Sequence, residues 1–199
     1  MTKLAITAIA GLAASTASAT VFGPGSGGFI ADNDPLGTSF TLNVAASGNI
    51  ITMNSVDIDM AHTWVGDLVV TLTHENSGTT VTLLDRPGSN TPTEVGNGSD
   101  MDGVFSFADG GANSWAPFEV PGAGTVVPAG EYELNNTDGT SLSDFVGLNI
   151  NGDWTLTISD NAAFDTGSVR EWFIDAVIPA PGAVALFGLG GLAAARRRR

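Results

Sequence analysis

His62 and His74 are the only two imidazoles in a chain of 199 residues that has no cysteine. Any Ser-His-Asp chemistry must run through one of them, because a positioned imidazole takes the nucleophile's proton and returns it to the leaving group. His62 stands two residues before Trp64, where a structural hydrogen bond at a strand end is the expected role. His74 opens His74-Glu75-Asn76-Ser77-Gly78, which reads as a solvated turn. There is no Gly-x-Ser-x-Gly nucleophile elbow and no His-Glu-x-x-His zinc pair. The absence of cysteine excludes thiol catalysis and thiolate-bound zinc, so the residue types point away from an enzyme.

The carboxylates offer a different chemistry. A hard cation such as calcium takes six to eight oxygen ligands, and acidic side chains converging on loops supply them. Three groups are candidates: Asp32 and Asp34 flanking Asn33, then Asp57 and Asp59, then Asp100, Asp102 and Asp109. Asp100-Met101-Asp102-Gly103 has part of an EF-hand pattern. Gly98 stands at the required first ligand position and Asp109 at the twelfth, so that motif is excluded. The opposing reading is that aspartate is abundant because turns favour it and acidic surfaces stay soluble.

The elements that must position these groups are strands. Gly, Asn and Asp punctuate the centre of the chain, and no stretch shows a 3.6-residue period. Phe40, Leu42 and Val44 share one face of an alternating run. In Val56-Asp57-Ile58-Asp59-Met60 the apolar side chains face in and the carboxylates out. Leu68–Thr73, Thr79–Leu84, Trp154–Ser159 and Val169–Ile178 continue the pattern. The fold class is all-β, a two-sheet sandwich, with Asp85–Val104 and Asp109–Gly130 expected as long surface loops. Trp115, in Asn113-Ser114-Trp115-Ala116-Pro117, either stands exposed for ligand contact or caps the sandwich end.

Several ordered blocks carry a family resemblance. They are His62-Thr-Trp-Val-Gly-Asp-Leu68, Phe105-Ser-Phe-Ala-Asp109, Leu142-Ser-Asp-Phe-Val-Gly147, Gly152-Asp-Trp-Thr-Leu-Thr-Ile-Ser-Asp160 and Asp165-Thr-Gly-Ser-Val-Arg-Glu-Trp172. In this order they resemble the P domain (P/Homo B domain) that follows the catalytic domain of kexin- and furin-like proprotein convertases. Ile30-Ala31-Asp32-Asn33-Asp34-Pro35 resembles the lead-in to its first strand in bacterial members. The resemblance implies a jelly-roll sandwich of about eight mostly antiparallel strands that is itself non-catalytic. It also implies a possible partner, a separate subtilisin-like serine endopeptidase.

Both ends read as targeting segments. Lys3, the apolar run Leu4–Ala14 and Ala17-Ser18-Ala19 form a signal peptide over residues 1–19, cut between Ala19 and Thr20. At the other end, Pro179-Ala180-Pro181 precedes an uncharged apolar run and Arg196, Arg197, Arg198 and Arg199. That run is about 14 residues, or about 21 Å as a helix, short of the ~20 residues of a durable span. Four arginines resist leaving the cytoplasmic side, which makes the segment a transient inner-membrane stop. Residues 179–199 resemble the PEP-CTERM sorting tail of Gram-negative bacteria, which implies processing by an exosortase-type enzyme and export to the cell surface or extracellular matrix. Ala180 replaces the acidic residue of that motif.

The expected domain is therefore 20–178. Only Arg86 and Arg170 remain there against 21 acidic residues, a net 2 − 21 = −19. Such a charge makes nucleic acid and anionic lipid poor partners, whereas extracellular polymer fits what the sorting tail implies.

Overall fold

The computed structural model describes residues 17–91, 94–120 and 122–180. The signal-peptide residues 1–16, and Pro181 with the apolar run and Arg196–Arg199, lie outside the described residues. Eleven strands follow in chain order: β1 (Ala17–Gly25), β2 (Gly28–Ile30), β3 (Asp34–Val44), β4 (Thr52–His62), β5 (Leu68–His74), β6 (Thr79–Asp85), β7 (Asn97–Ala108), β8 (Gly122–Val127), β9 (Gly130–Glu133), β10 (Gly152–Asp160) and β11 (Gly167–Pro179). Short 3-10 turns occupy Val65–Asp67, Ala116–Phe118 and Leu142–Phe145.

One sheet runs β1-β11-β4-β7-β8, with β2 also on β11 and β9 also on β7; the other runs β3-β10-β5-β6. Taking β2, β3, β4, β5, β6, β7, β10 and β11 as the principal eight, the orders are first-eighth-third-sixth and second-seventh-fourth-fifth. That is the jelly-roll arrangement of two interlocked Greek keys. Among the described residues the strand ladders are antiparallel except those of β7 with β8 and β9, which are parallel. The extra strands are edge pieces: β1 shares β11 with β2, and β8 and β9 share β7. The β1–β11 ladder pairs Ala17 with Pro179, so strand structure runs slightly beyond residues 20–178, and Ala17–Ala19 are its exposed outer end.

The alternation read from the sequence is the core. Val56, Ile58, Met60, Leu68, Val70, Leu72, Trp154, Leu156, Ile158 and Trp172 are all fully buried between the sheets. Trp154 packs its ring against His74 at 4.5 Å and Phe145 at 5.0 Å, and its indole N–H donates to the Ile150 carbonyl at 3.0 Å. A buried indole usually finds a partner for its N–H, as Trp154 does here, whereas the N–H of Trp172 has none among the described residues.

Two long loops are more ordered than the sequence suggests. Residues 97–108 form β7, with Asn97, Ser99 and Met101 turned inward and Asp100 and Asp102 outward. Asn97 tolerates burial because its amide donates to the Val120 carbonyl at 2.8 Å and its oxygen accepts from Ser99 N–H at 3.0 Å. Within 109–130, β8 and the Ala116–Phe118 turn organise the chain. Trp115 is 2% exposed rather than a contact residue. It packs against Tyr132 at 4.6 Å and donates to the Glu133 carbonyl at 2.9 Å.

Candidate functional site

The pairings of Gly167 with both His62 and Ile30, and of Asp160 with both Leu68 and Asp34, bring five segments to one end of the sandwich. They are the end of β4, the Val65–Asp67 turn, the β2–β3 connection, the end of β10 and the loop 161–166. Gly66 makes this possible. A Cβ there would stand 2.1 Å from the backbone nitrogen of Asn97 and 2.6 Å from the Cα of Gly96, which itself has φ +61°. Two glycine backbones therefore touch where side chains could not fit.

His62 is buried beside Asp160, its Nε2 3.2 Å from Oδ2. Its Nδ1 lies 3.1 Å from the Trp64 N–H and 3.0 Å from the Trp64 carbonyl. Asp160 Oδ1 accepts from Ala162 N–H at 3.1 Å. Both ring nitrogens thus face strand-end backbone or a carboxylate, as the sequence suggests for His62. His74 departs from expectation: it is 2% exposed, not solvated. The cause is its place on β5, where alternation turns it inward onto Trp154. Its nitrogens meet Ser77 Oγ at 3.0 Å and the Asn151 carbonyl at 3.1 Å. One imidazole has a carboxylate partner and the other a hydroxyl; neither has both, so neither forms a triad.

The sequence reading missed Asp67. Its side chain is 1% exposed, and its Oδ1 has no hydrogen-bond partner. Its backbone carbonyl is held by Asn161, which donates from both its main-chain N–H and its amide at 2.9 Å. The carboxyl is pushed up to about 7 from the ordinary 3.8, first by burial, then by the charges of Asp160 and Asp165, with a hydrogen bond to the Asp165 side chain adding to the rise. Arg86 pulls the other way. Asp165 accepts from Thr63 Oγ1 at 2.9 Å, and its N–H donates to Asp32 Oδ1 at 3.4 Å. A cleft of about 360 Å³ opens over Asp67 and Asp165, walled by Trp64, Val95 and the 162–164 loop.

The seven carboxylates nominated from sequence do not converge. Asp32 lies at this end, binding the N–H groups of Phe164 and Asp165. Asp34 accepts from Leu36 N–H at 3.1 Å in its own turn. Asp57, Asp59, Asp100 and Asp102 lie on β4 and β7, and Arg170 bridges Asp59 and Asp102. Asp109 is a structural acceptor, taking Ser141 Oγ at 2.7 Å and the N–H groups of Leu142 and Ser143 at 3.0 Å. Among the described residues, no three acidic or imidazole side chains are grouped to hold a metal by themselves.

Residues 127–176 match the model of the proprotein convertase P domain. That stretch contains three of the blocks singled out above, Leu142–Gly147, Gly152–Asp160 and Asp165–Trp172. Among solved structures, the chain is similar to a serine protease of Aeromonas sobria in complex with a chaperone, at 13% identity and a TM-score of 0.45, over 82% of this chain and 27% of that one. The same organism's serine protease in a second structure matches at 12% identity and a TM-score of 0.42, over 81% of this chain and 27% of that one. The chain thus spans about a quarter of the protease chains it resembles. No curated protein sequence matches it.

Proposed function

We propose that this chain is an exported, surface-sorted and non-catalytic P-domain module with a binding or structural role in the bacterial envelope or extracellular matrix. The observation that carries the reading is the P-domain match over 127–176 on a sandwich whose two histidines are both committed to buried structural contacts. The export and sorting parts rest on the two end segments: a signal peptide cut at Ala19–Thr20, and a Pro179-Ala180-Pro181 tail held by four arginines until an exosortase-type enzyme acts on it. The net charge between those segments favours partners that are neutral or cationic over nucleic acid or anionic lipid.

A second reading is favoured by the family that 127–176 matches: an accessory domain that stabilises a separate subtilisin-like serine endopeptidase. One experiment separates the two. The purified protein, immobilised and exposed to a native envelope extract, retains extracellular polymer under the first reading. Under the second it retains a subtilisin-like endopeptidase, whose melting temperature rises when the purified module is added back. Retention of neither contradicts both.

A further inference from the structure

We infer that the groove between Phe29 and Asp102, on the outer face of the larger sheet, binds a neutral saccharide segment. The Phe29 ring lies against the sugar's C–H face, and the carboxylates of Asp100 and Asp102 accept from its hydroxyls. This inference rests on the extracellular-polymer reading above and gives it a site. The register builds the groove. Phe29 on β2 pairs with Ser168 on β11, Ser168 with Ala61 on β4, and Ala61 with Asp102 on β7. Their chain neighbours Ile30, Val169, Met60, His62 and Met101 are buried, so alternation turns these four side chains out of the sandwich as one row. The row crosses three strand spacings, about 14 Å. Two small residues, Ser168 and Ala61, form its floor, and the larger Phe29 and Asp102 stand at either side. The resulting trough has a volume of about 350 Å³, which falls within the roughly 300–1,000 Å³ of small-ligand sites.

Three observations set the ligand chemistry. First, Phe29 is 87% exposed on a short strand whose inward anchor is Ile30, so the ring contributes nothing to the core. A bare phenyl ring gains by covering an apolar surface. Second, Arg170 stands in a bulge between Val169 and Glu171, and it bridges Asp59 and Asp102. A bulge re-aims a side chain in this way, and here it fixes Asp102 at the wall of the trough. Third, the wall and floor keep open hydrogen-bonding capacity. Asp102 Oδ1 is taken by Arg170, but its Oδ2, both oxygens of Asp100 and Ser168 Oγ have no protein partner among the described residues. A pyranose has one apolar C–H face and a rim of hydroxyls, so an exposed ring beside carboxylate acceptors meets both. Charge narrows the class. The acidic balance of residues 20–178 repels polymers bearing carboxylate, sulfate or phosphate. A basic peptide would have to compete with Arg170 for Asp102.

The test uses the full chain on an array of neutral α- and β-linked hexose oligosaccharides, with a polyuronate and an oligoarginine peptide as charged probes. Wild type is expected to bind at least one neutral oligosaccharide, with little change between low and high salt, because no ion pair forms. Phe29→Ala and Asp100→Ala should each weaken that binding by about tenfold or more, as loss of a platform or of a charged acceptor does. Both side chains are exposed, so the melting temperature should not move. Phe164→Ala removes another exposed ring, one that does not line the groove, and should leave binding unchanged. Failure to bind any neutral oligosaccharide, salt-sensitive binding of the peptide instead, or saccharide binding that survives Phe29→Ala overturns the inference. The last outcome removes the site and leaves the polymer reading standing. That reading fails separately, when the envelope extract yields no polymer.

Discussion

His62 Nε2 sits 3.2 Å from Asp160 Oδ2, and neither side chain is more than 1% exposed. The pair joins the end of β4 to the end of β10, so it ties one sheet to the other at the loop-bearing end. An imidazole and a carboxylate at this distance resemble two-thirds of a hydrolytic triad, but the other ring nitrogen is occupied by the Trp64 backbone. The geometry is that of a clasp between sheets.

Asp67 should give the protein an unusual pH response. A carboxyl raised in the folded state favours folding while it is protonated. Its contribution is fully present below the ordinary 3.8 and is lost as pH rises through about 7. In metal-free buffer, wild type should therefore lose stability relative to Asp67→Asn between about pH 4 and pH 7. Asp138 acts in the opposite sense: burial raises its carboxyl, but hydrogen bonds from Thr140 and Thr82 together outweigh it and hold the carboxyl below the ordinary value. Its contribution is lost only as pH falls into the acid range. Melting temperatures of wild type and Asp67→Asn across that range check the sign, and parallel curves would contradict it.

The core should be intolerant of losing its central ring. Trp154 is fully buried between His74 and Phe145. Trp154→Ala should cost about 3–5 kcal/mol, the usual range for deleting a large buried aromatic. Urea unfolding at constant m-value measures it.

Asp109 is predicted to matter for stability and not for metal binding. It accepts three hydrogen bonds from the Ser141–Ser143 segment, at 2.7–3.0 Å. Asp109→Ala leaves those donors to water or to nothing, at a cost of about 1–3 kcal/mol. The same loss measured with and without calcium is the expected outcome, since the carboxylate is already engaged by protein donors.

How much of this was legible in the chain depends on whether the signal was local. The core strands were, because alternation along Val56–Met60 or Leu68–Leu72 directly reports which side chains enter the core, whereas their jelly-roll order was only implied by the family resemblance. The polar strand β7 was not, because Asn97, Ser99 and Asp100 look like loop residues until the Val120 carbonyl supplies Asn97 with a partner. Trp115 reads as a loop aromatic, and only the fold brings Tyr132 and Phe107 against it. Asp67 lies inside a block quoted for the family resemblance, yet nothing in Gly66-Asp67-Leu68 announces that its carboxylate is sealed. That burial is created by residues 95–97 and 161–165, far away in sequence. The carboxylates that stood out as pairs, Asp57 with Asp59 and Asp100 with Asp102, stood out because strand spacing places alternate residues on one outer face. There Arg170 meets two of them.

Four arginines should hold the C-terminal apolar run in the membrane long enough for cleavage near Pro179-Ala180-Pro181. Intact mass spectrometry of protein recovered from the cell surface should show a species without Arg196–Arg199. Replacing those four residues with serine should impair the conversion. A mature surface species that still carries Arg199 contradicts the sorting assignment.

The account rests on a chain that binds without catalysing, and hydrolysis tests that most directly. Purified protein should be incubated with a broad peptide library beside His62→Ala and His74→Ala variants, with cleavage products counted by mass spectrometry. No turnover above the buffer control is predicted for any of the three. Turnover by wild type that either substitution abolishes would show that a histidine assigned here to structure performs chemistry, and would contradict the account.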